Sequence, residues 1–378
     1  MAKQRKQPKK VRADFRKNRE VRTRDRSQTQ QFASENVDED EARGEQISGK
    51  GRLSRKRTIV VSQTQDDSGQ QALAPDVDLA ACLPGRVLRV QGLHSIVEAP
   101  DGRTCSCATR RLLKTLSTDQ RHVVAAGDRV MFRPVGDEGI IERIETRRGV
   151  LSRTSKGRQH VVVANVDQML IVASAAEPEL KPHLIDRYLV TAERNRIRPL
   201  ICINKIDLVD RGTLQSTLGV YGQLGYEVLQ ISAATGMNVD RLRAALTGRE
   251  SVVAGQSGVG KSSLLNAIDP QLKLKTREVS RENEKGKHTT TTAVLIPLAC
   301  GGYVVDTPGI RQFQLWDVIP VEVAGYFRDI RPLVDLCQYP DCTHTHEADC
   351  AVKDAVADGR LDGRRYESYC HLFVGDGA

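Results

Sequence analysis

The chain has 378 residues, with 57 Lys plus Arg against 48 Asp plus Glu and a formal net charge of +9. Length and a 39% hydrophobic content allow two or three domains with a sizeable core, and no apolar run approaches a bilayer span, so a membrane protein is not expected. Residues 1–26 hold twelve basic and three acidic residues, so that segment alone carries the +9 and the other 352 residues balance to zero.

The basic N-terminus has no apolar stretch behind it, which argues against a secretory signal. After it comes an acidic stretch (Glu35, Asp38, Glu39, Asp40, Glu41, Glu45) and a second basic block (Lys50, Arg52, Arg55, Lys56, Arg57). Apolar residues are too sparse across 1–80 to bury a core, so a disordered charged extension is expected there. Short strands are predicted at Arg86–Gln91, His94–Glu98, Arg103–Thr109, Asp128–Arg133 and Gly139–Thr146, separated by Gly and Asp-Gly turns. Five such strands fit a small barrel of the OB type over 81–150.

From about residue 160 the pattern changes. Apolar runs at Val161–Val163, Met169–Ala173, Leu200–Ile203, Val228–Ile231, Val252–Ala254 and Tyr303–Val305 alternate with helical stretches such as Ile185–Glu193 and Arg241–Leu246. That alternation predicts an α/β domain with a mostly parallel sheet over 151–321. Residues 322–378 read as helical and Cys/His-rich.

Gly255-Gln256-Ser257-Gly258-Val259-Gly260-Lys261-Ser262, followed by Ser263, is a full G-x-x-x-x-G-K-S phosphate loop between a strand and a helix. Its N–H groups would face anionic oxygens, Lys261 would reach the β- and γ-phosphates, and the Ser262 hydroxyl would bind Mg²⁺. Asn204-Lys205-Ile206-Asp207 follows another strand and names the base. The Asp207 carboxylate can accept from the N1–H and N2–H₂ donors of guanine, whereas adenine would leave it unpaired. Asn204 would brace the loop and the Lys205 stem would lie along the ring. Ser232-Ala233 would offer a backbone N–H to guanine O6.

Asp306-Thr307-Pro308-Gly309 is expected to hold Mg²⁺ through Asp306 and to sense the γ-phosphate with the Gly309 N–H. Upstream, Lys287-His288-Thr289-Thr290-Thr291-Thr292 reads as a switch in which one threonine coordinates Mg²⁺. Ile310 stands where many GTPases carry a water-orienting Gln, so intrinsic hydrolysis should be slow unless another group substitutes. His288 is the nearest polar candidate. The base-reading motif precedes the phosphate loop, the reverse of the usual order, which implies a circular permutation with the second switch running into the C-terminal domain.

Cys337, Cys342, His344 and Cys350 offer three thiolates and an imidazole, a donor set suited to one structural tetrahedral Zn²⁺, with His346 a competing ligand. Nine cysteines, an odd number with three of them clustered here, point to a reducing compartment rather than to disulfides.

These motifs and their order resemble the family of ribosome small-subunit-dependent GTPase A, a circularly permuted GTPase with an OB-fold and a zinc domain. The resemblance runs from Gly85 to Phe373. It includes Gly127-Asp128-Arg129-Val130, Ala164-Asn165-Val166-Asp167-Gln168 and Ile185-Asp186-Arg187-Tyr188-Leu189. It implies a cytoplasmic late assembly factor that hydrolyses GTP to GDP and binds the small ribosomal subunit and its ribosomal RNA, as a monomer there. Turnover would be stimulated by the subunit and linked to release. The family's switch histidine maps to His288 and its Mg²⁺-binding threonine to Thr290. The first 80 residues depart from the family pattern. Two alternatives stay open: an RNA-binding scaffold in which GTP only sets conformation, and a GTPase of another ribonucleoprotein.

Overall fold

A computed structural model describes residues 79–110, 113, 123–155, 158–274, 293–306 and 319–375, plus the backbone of 9–14, 56–65 and 71–75. Residues 1–78 and 79–378 are separate compact units. In the first, β1 (Lys9–Asp14), β2 (Lys56–Gln65) and β3 (Gln71–Pro75) form an antiparallel sheet. Composition argued against regular structure here. The extended backbone of β2 is favoured by the β-branched run Thr58-Ile59-Val60-Val61.

The second unit begins with five strands, β4 (Leu83–Gln91), β5 (His94–Glu98), β6 (Thr104–Thr109), β7 (Arg129–Val135) and β8 (Glu138–Ile144). They pair in the order β4-β5-β6-β8-β7, and β7 closes back on β4. Every pairing is antiparallel except β6 with β8. First, second, third, fifth, fourth and back to first is the closed OB-fold barrel. Inward Val87, Val97, Cys107, Val130, Phe132 and Ile141 fill its core.

A hairpin of β9 (Leu151–Ser155) and β10 (Arg158–Val163) leads into the α/β domain. Its elements in order are β11 (Gln168–Ser174), α1 (Pro182–Arg194), β12 (Arg198–Asn204), α2 (Gln215–Gln223), β13 (Glu227–Gln230) and α3 (Val239–Leu246). Then come β14 (Glu250–Ala254), α4 (Lys261–Ile268), β15 (Val294–Pro297) and β16 (Tyr303–Asp306). The sheet order is β13-β12-β11-β14-β16-β15, parallel except at β15. β11 and β14 are buried on both faces, as apolar runs in a covered parallel sheet must be. One residue pair, Val294 with Arg89, hydrogen-bonds β15 to β4 and makes barrel and α/β domain a single eleven-stranded sheet.

The remaining helices are α5 (Val323–Tyr326), α6 (Arg331–Val334), α7 (Ala351–Ala357) and α8 (Gly363–Val374). Phe327, Ile330, Val352, Ala355 and Tyr369 form their core, and Val190 of α1 is part of it. No described helix is long and apolar enough to cross a membrane.

Candidate active site

The base-reading motif, Ser232-Ala233 and the phosphate loop follow the carboxyl ends of β12, β13 and β14, and Asp306 ends β16. These ends lie side by side in a parallel sheet, which is where open α/β sheets take ligands.

The phosphate loop is shaped by its glycines. Gly255 has φ +143°, and a Cβ there would stand 2.2 Å from the Val172 carbonyl oxygen, so only glycine lets the loop turn against β11. Gly260 has φ +91°, and a Cβ there would meet the Asn204 amide at 2.3 Å. Gln256, Ser257, Gly258 and Val259 lie in the turn between these glycines, and Val259 is buried. Lys261 opens α4, and its Nζ donates to the carbonyls of Gly255 (2.7 Å) and Gln256 (2.6 Å). Ser262 and Ser263 follow in the first turn, half-buried.

Asn204 is the hub of the site. Its side chain is buried, its Nδ2 donates to the Val259 carbonyl (2.9 Å), and its Oδ1 accepts the Ala233 N–H (3.1 Å). One amide thus ties together loops from three strands. Of the two backbone N–H groups of Ser232-Ala233, one of which was expected to meet guanine O6, that of Ala233 is donated to Asn204 and that of Ser232 to the Met237 carbonyl at 3.2 Å. Ser232 is fully buried, and its hydroxyl accepts the Thr235 N–H at 3.1 Å, which shapes the turn. Lys205 is held left-handed at φ +62°, and its Nζ donates to the Glu177 carbonyl. Asp207 is exposed in the short 3₁₀ turn Ile206–Leu208, with its carboxylate open to solvent.

His288, Thr290, Gly309 and Ile310 lie outside the described residues, as does the Asp306 side chain. Strand β15 begins two residues after the threonine run, and β16 ends at Asp306.

The four C-terminal donors converge. Cys337 Sγ lies 3.4 Å from His344 Nδ1 and 3.9 Å from Cys350 Sγ, Cys350 Sγ lies 3.5 Å from His344 Nδ1, and all four ligand atoms, Cys342 included, sit within 4.8 Å of one another. Zn–S bonds of about 2.3 Å and Zn–N bonds of about 2.0–2.1 Å imply tetrahedral edges of about 3.8 Å between sulfurs and about 3.5 Å from sulfur to nitrogen. The quartet therefore fits zinc. Burial lowers the His344 pKa, against the pull of Glu347, which favours the neutral ring a metal requires. His346 is excluded: its side chain is 80% exposed and its Nδ1 meets Thr345 Oγ1 at 3.1 Å. The loop is braced from behind. Tyr366 and Tyr369 hydroxyls donate to the carbonyls of His344 (2.8 Å) and Thr343 (2.6 Å), and Glu347 accepts from the N–H groups of Thr343 and Thr345.

Two junctions surround the site that chemistry-bearing motifs alone did not reveal. Asp186 of α1 is fully buried, and Arg365 of α8 reaches it at 2.5 Å while also gripping Asp329 at 2.8 Å. The Tyr221 hydroxyl donates to the same Asp186 oxygen at 3.0 Å. Burial raises the Asp186 pKa against the pull of Arg365. Arg328 adds a pair to Glu193 (2.7 Å) and stacks 4.1 Å over Tyr226. On the barrel side, a Cβ at Gly127 would stand 2.1 Å from the Ala164 carbonyl oxygen, and Asn165 Nδ2 donates to the Gly127 carbonyl at 2.8 Å. Arg147 clasps the buried Asp128 at 2.7 and 2.8 Å. The short motifs around 127, 165 and 186 are thus docking points between domains.

Comparison with known proteins agrees with this geometry. Residues 144–316 match the family described as RsgA GTPase. The small ribosomal subunit biogenesis GTPase RsgA of Chlorobaculum parvum is 41% identical over 303 residues, covering 77% of this chain and 97% of that protein. Its namesake from Sodalis glossinidius is 40% identical over 304 residues, covering 79% and 87%. Among solved structures, YjeQ from Thermotoga maritima superposes with a TM-score of 0.64 at 36% identity, covering 78% of this chain and 98% of that one. YloQ, described as a circularly permuted GTPase, gives 0.60 at 29% identity, covering 80% and 97%. A barrel, a permuted nucleotide domain and a Cys/His-bearing helical domain in this order, over nearly the full length of such relatives, make the chain a GTP-hydrolysing member of the RsgA GTPase family.

Proposed function

We propose that this chain is an assembly factor of the small ribosomal subunit that binds the subunit and its ribosomal RNA in the GTP state and leaves after hydrolysis. The likeness over 303 residues to relatives named for small-subunit biogenesis carries the reading. In this reading residues 255–263 cradle the phosphates, with Lys261 on the β- and γ-oxygens. Asn204, Lys205 and Asp207 select guanine, and Ser232-Ala233 fix their loop. Ser262, Thr290 and Asp306 hold Mg²⁺, which neutralises charge on the transferring phosphoryl group. The Gly309 N–H senses the γ-phosphate, and His288 orients the attacking water. Cys337, Cys342, His344 and Cys350 hold a structural Zn²⁺.

The basic arm at 1–26 supplies sequence-independent attraction to RNA phosphates. The protein works on the subunit as a monomer, in the cytoplasm with the ribosomes. Ile310 favours one second reading, an RNA-binding scaffold in which GTP only sets conformation and turnover is irrelevant. Co-sedimentation with purified small subunits tests the proposal. Binding with a non-hydrolysable GTP analogue and release with GDP is expected; nucleotide-independent binding, or none, would overturn it. Removing 1–26 should flatten the salt dependence of binding and leave GTP affinity unchanged.

A further inference from the structure

The barrel meets the α/β domain at the strands that lead into the phosphate side of the site. β14 runs from Glu250 directly into Gly255, β16 runs from Tyr303 to Asp306, and β15 begins just after the threonine run. All three are held from the barrel. Arg86 of β4 pairs with Glu250, and Arg129 of β7 approaches the same carboxylate at 3.8 Å. The Tyr303 hydroxyl donates to Glu98 of β5 at 2.5 Å, with the Arg86 guanidinium 5.8 Å from the Tyr303 ring centroid. Val294 pairs with Arg89.

The joint is tight in charge and loose in packing. Glu250 is 4% exposed, and its Oε2 has no hydrogen-bond partner among the described residues. Beside the β4–β15 bridge lies a cleft of about 310 Å³, lined by Arg89, Ala125, Val161 and Ala293 among others. The barrel thus meets the strands through a buried ion pair on one side and a bridge bordered by a cleft on the other. Strand β14 is packed between β11 and β16 and nearly buried on both faces, so a shift at Glu250 cannot be absorbed sideways. Its far end runs straight into Gly255, the glycine whose Cβ position is blocked by the Val172 carbonyl.

We propose that Glu250 is a positioning residue for GTP hydrolysis: through Arg86 and Arg129 it registers where the barrel sits and passes that position along β14 to the phosphate loop. By linkage the effect runs both ways, so the nucleotide also sets the barrel. Only the identity of what moves the barrel, ribosomal RNA, rests on the function proposed above.

The charge of Glu250 matters to the joint. Burial pushes its pKa up to about 7 against the pull of Arg86, with Asp167 raising it further and Arg129 lowering it. Asp167 Oδ2 accepts the Glu250 N–H at 2.8 Å, and Tyr303 and Glu98 complete the groups that face it. Below neutrality the ion pair gives way to a neutral acid beside an arginine, and the coupling should fade.

The test is hydrogen–deuterium exchange of the full chain with GDP and with a non-hydrolysable GTP analogue, in wild type, Glu250→Gln, Arg86→Lys and Tyr303→Phe. In wild type at pH 8, protection of β4 and β7 amides should differ at least about threefold between nucleotides, and at pH 6 the difference should shrink. In Glu250→Gln and Arg86→Lys it should vanish at both pH values, with analogue affinity within about threefold of wild type. Tyr303→Phe, which keeps the ion pair and the ring, should retain most of the response and guards against a variant that fails to fold. A wild-type barrel blind to the nucleotide, or an unaltered response in Glu250→Gln, would overturn the proposal. No ribosomal subunit enters this experiment, so a chain that fails to bind subunits would sink the functional reading and leave this result standing.

Discussion

The barrel and the zinc-bearing domain grip the nucleotide domain differently. The barrel holds β14, β15 and β16, which lead to or from the phosphate motifs, through the buried Arg86–Glu250 pair, the Tyr303–Glu98 hydrogen bond and a one-residue bridge beside a cleft. The helical domain holds α1 and the α2–β13 side, next to the base-reading strands, through Asp186, Arg365, Arg328 and a shared apolar core. One attachment rests on a few polar contacts beside a cleft, the other on a shared apolar core and buried ion pairs. Helix α1 shows why the second is firm. Pro182 starts it, Ile185, Tyr188, Leu189 and Ala192 bury one face on the sheet, and Asp186 and Val190 face the C-terminal domain.

The sharpest way to break this contrast is to remove the metal. Apparent zinc-binding energies of structural sites run about 10–16 kcal/mol, more than a domain of this size has to spare. Chelation, or Cys350→Ser, should unfold residues 319–375 and leave the barrel folded, as domain-resolved hydrogen exchange would show. Loss of both together would erase the distinction.

Next in size is Asp186→Ala. It strands Arg365 with one carboxylate in a buried interface, and removing one partner of such a pair costs about 3–5 kcal/mol. Urea denaturation should register that loss, and Asp186→Leu combined with Arg365→Met should recover most of it. A loss below about 1 kcal/mol, the size expected of an exposed pair, would mean that the interface is wet.

Glu250 gives a pH signature instead. Its folded pKa of about 7 lies above its ordinary 4.5, so the folded chain binds a proton that the unfolded chain has released between those values. Its contribution is full below pH 4.5 and is lost as pH rises through about 7. Wild type should therefore lose up to about 3 kcal/mol relative to Glu250→Gln between pH 4.5 and 8. Parallel stability curves would contradict the assignment.

The smallest effect belongs to Asn204→Ala, which leaves the Val259 carbonyl and Ala233 N–H without their partner and should cost about 1–3 kcal/mol. GTP affinity should fall roughly tenfold or more by the same accounting, while Asp186 variants leave it largely intact. Titration with a fluorescent GTP analogue separates the two.

Much of this was legible in the sequence where the signal is local. Alternation and turn residues placed the barrel strands within a few residues, with β5 matching at both ends. The phosphate loop and zinc quartet were legible because glycine conformations and ligand spacings are short-range constraints. What was not legible is long-range. Strand β15 was missed because Val294–Pro297 is only four residues long and ends in proline, and the sequence shows neither of its pairings. Arg86 and Glu250 are 164 positions apart, and Arg365 and Asp186 are 179 apart, so nothing in local pattern joins them. The use of the Ala233 N–H by Asn204 depends in the same way on which loops the sheet order brings together.

In the proposed function, a GTP hydrolase is tuned by what its barrel and helical domain touch. GTP turnover by the purified full chain, with and without purified small ribosomal subunits, tests it most directly. The expected result is slow turnover alone, at least about tenfold faster with subunits, and no such rise in His288→Ala. Equal rates with and without subunits, in preparations that bind them, would contradict it.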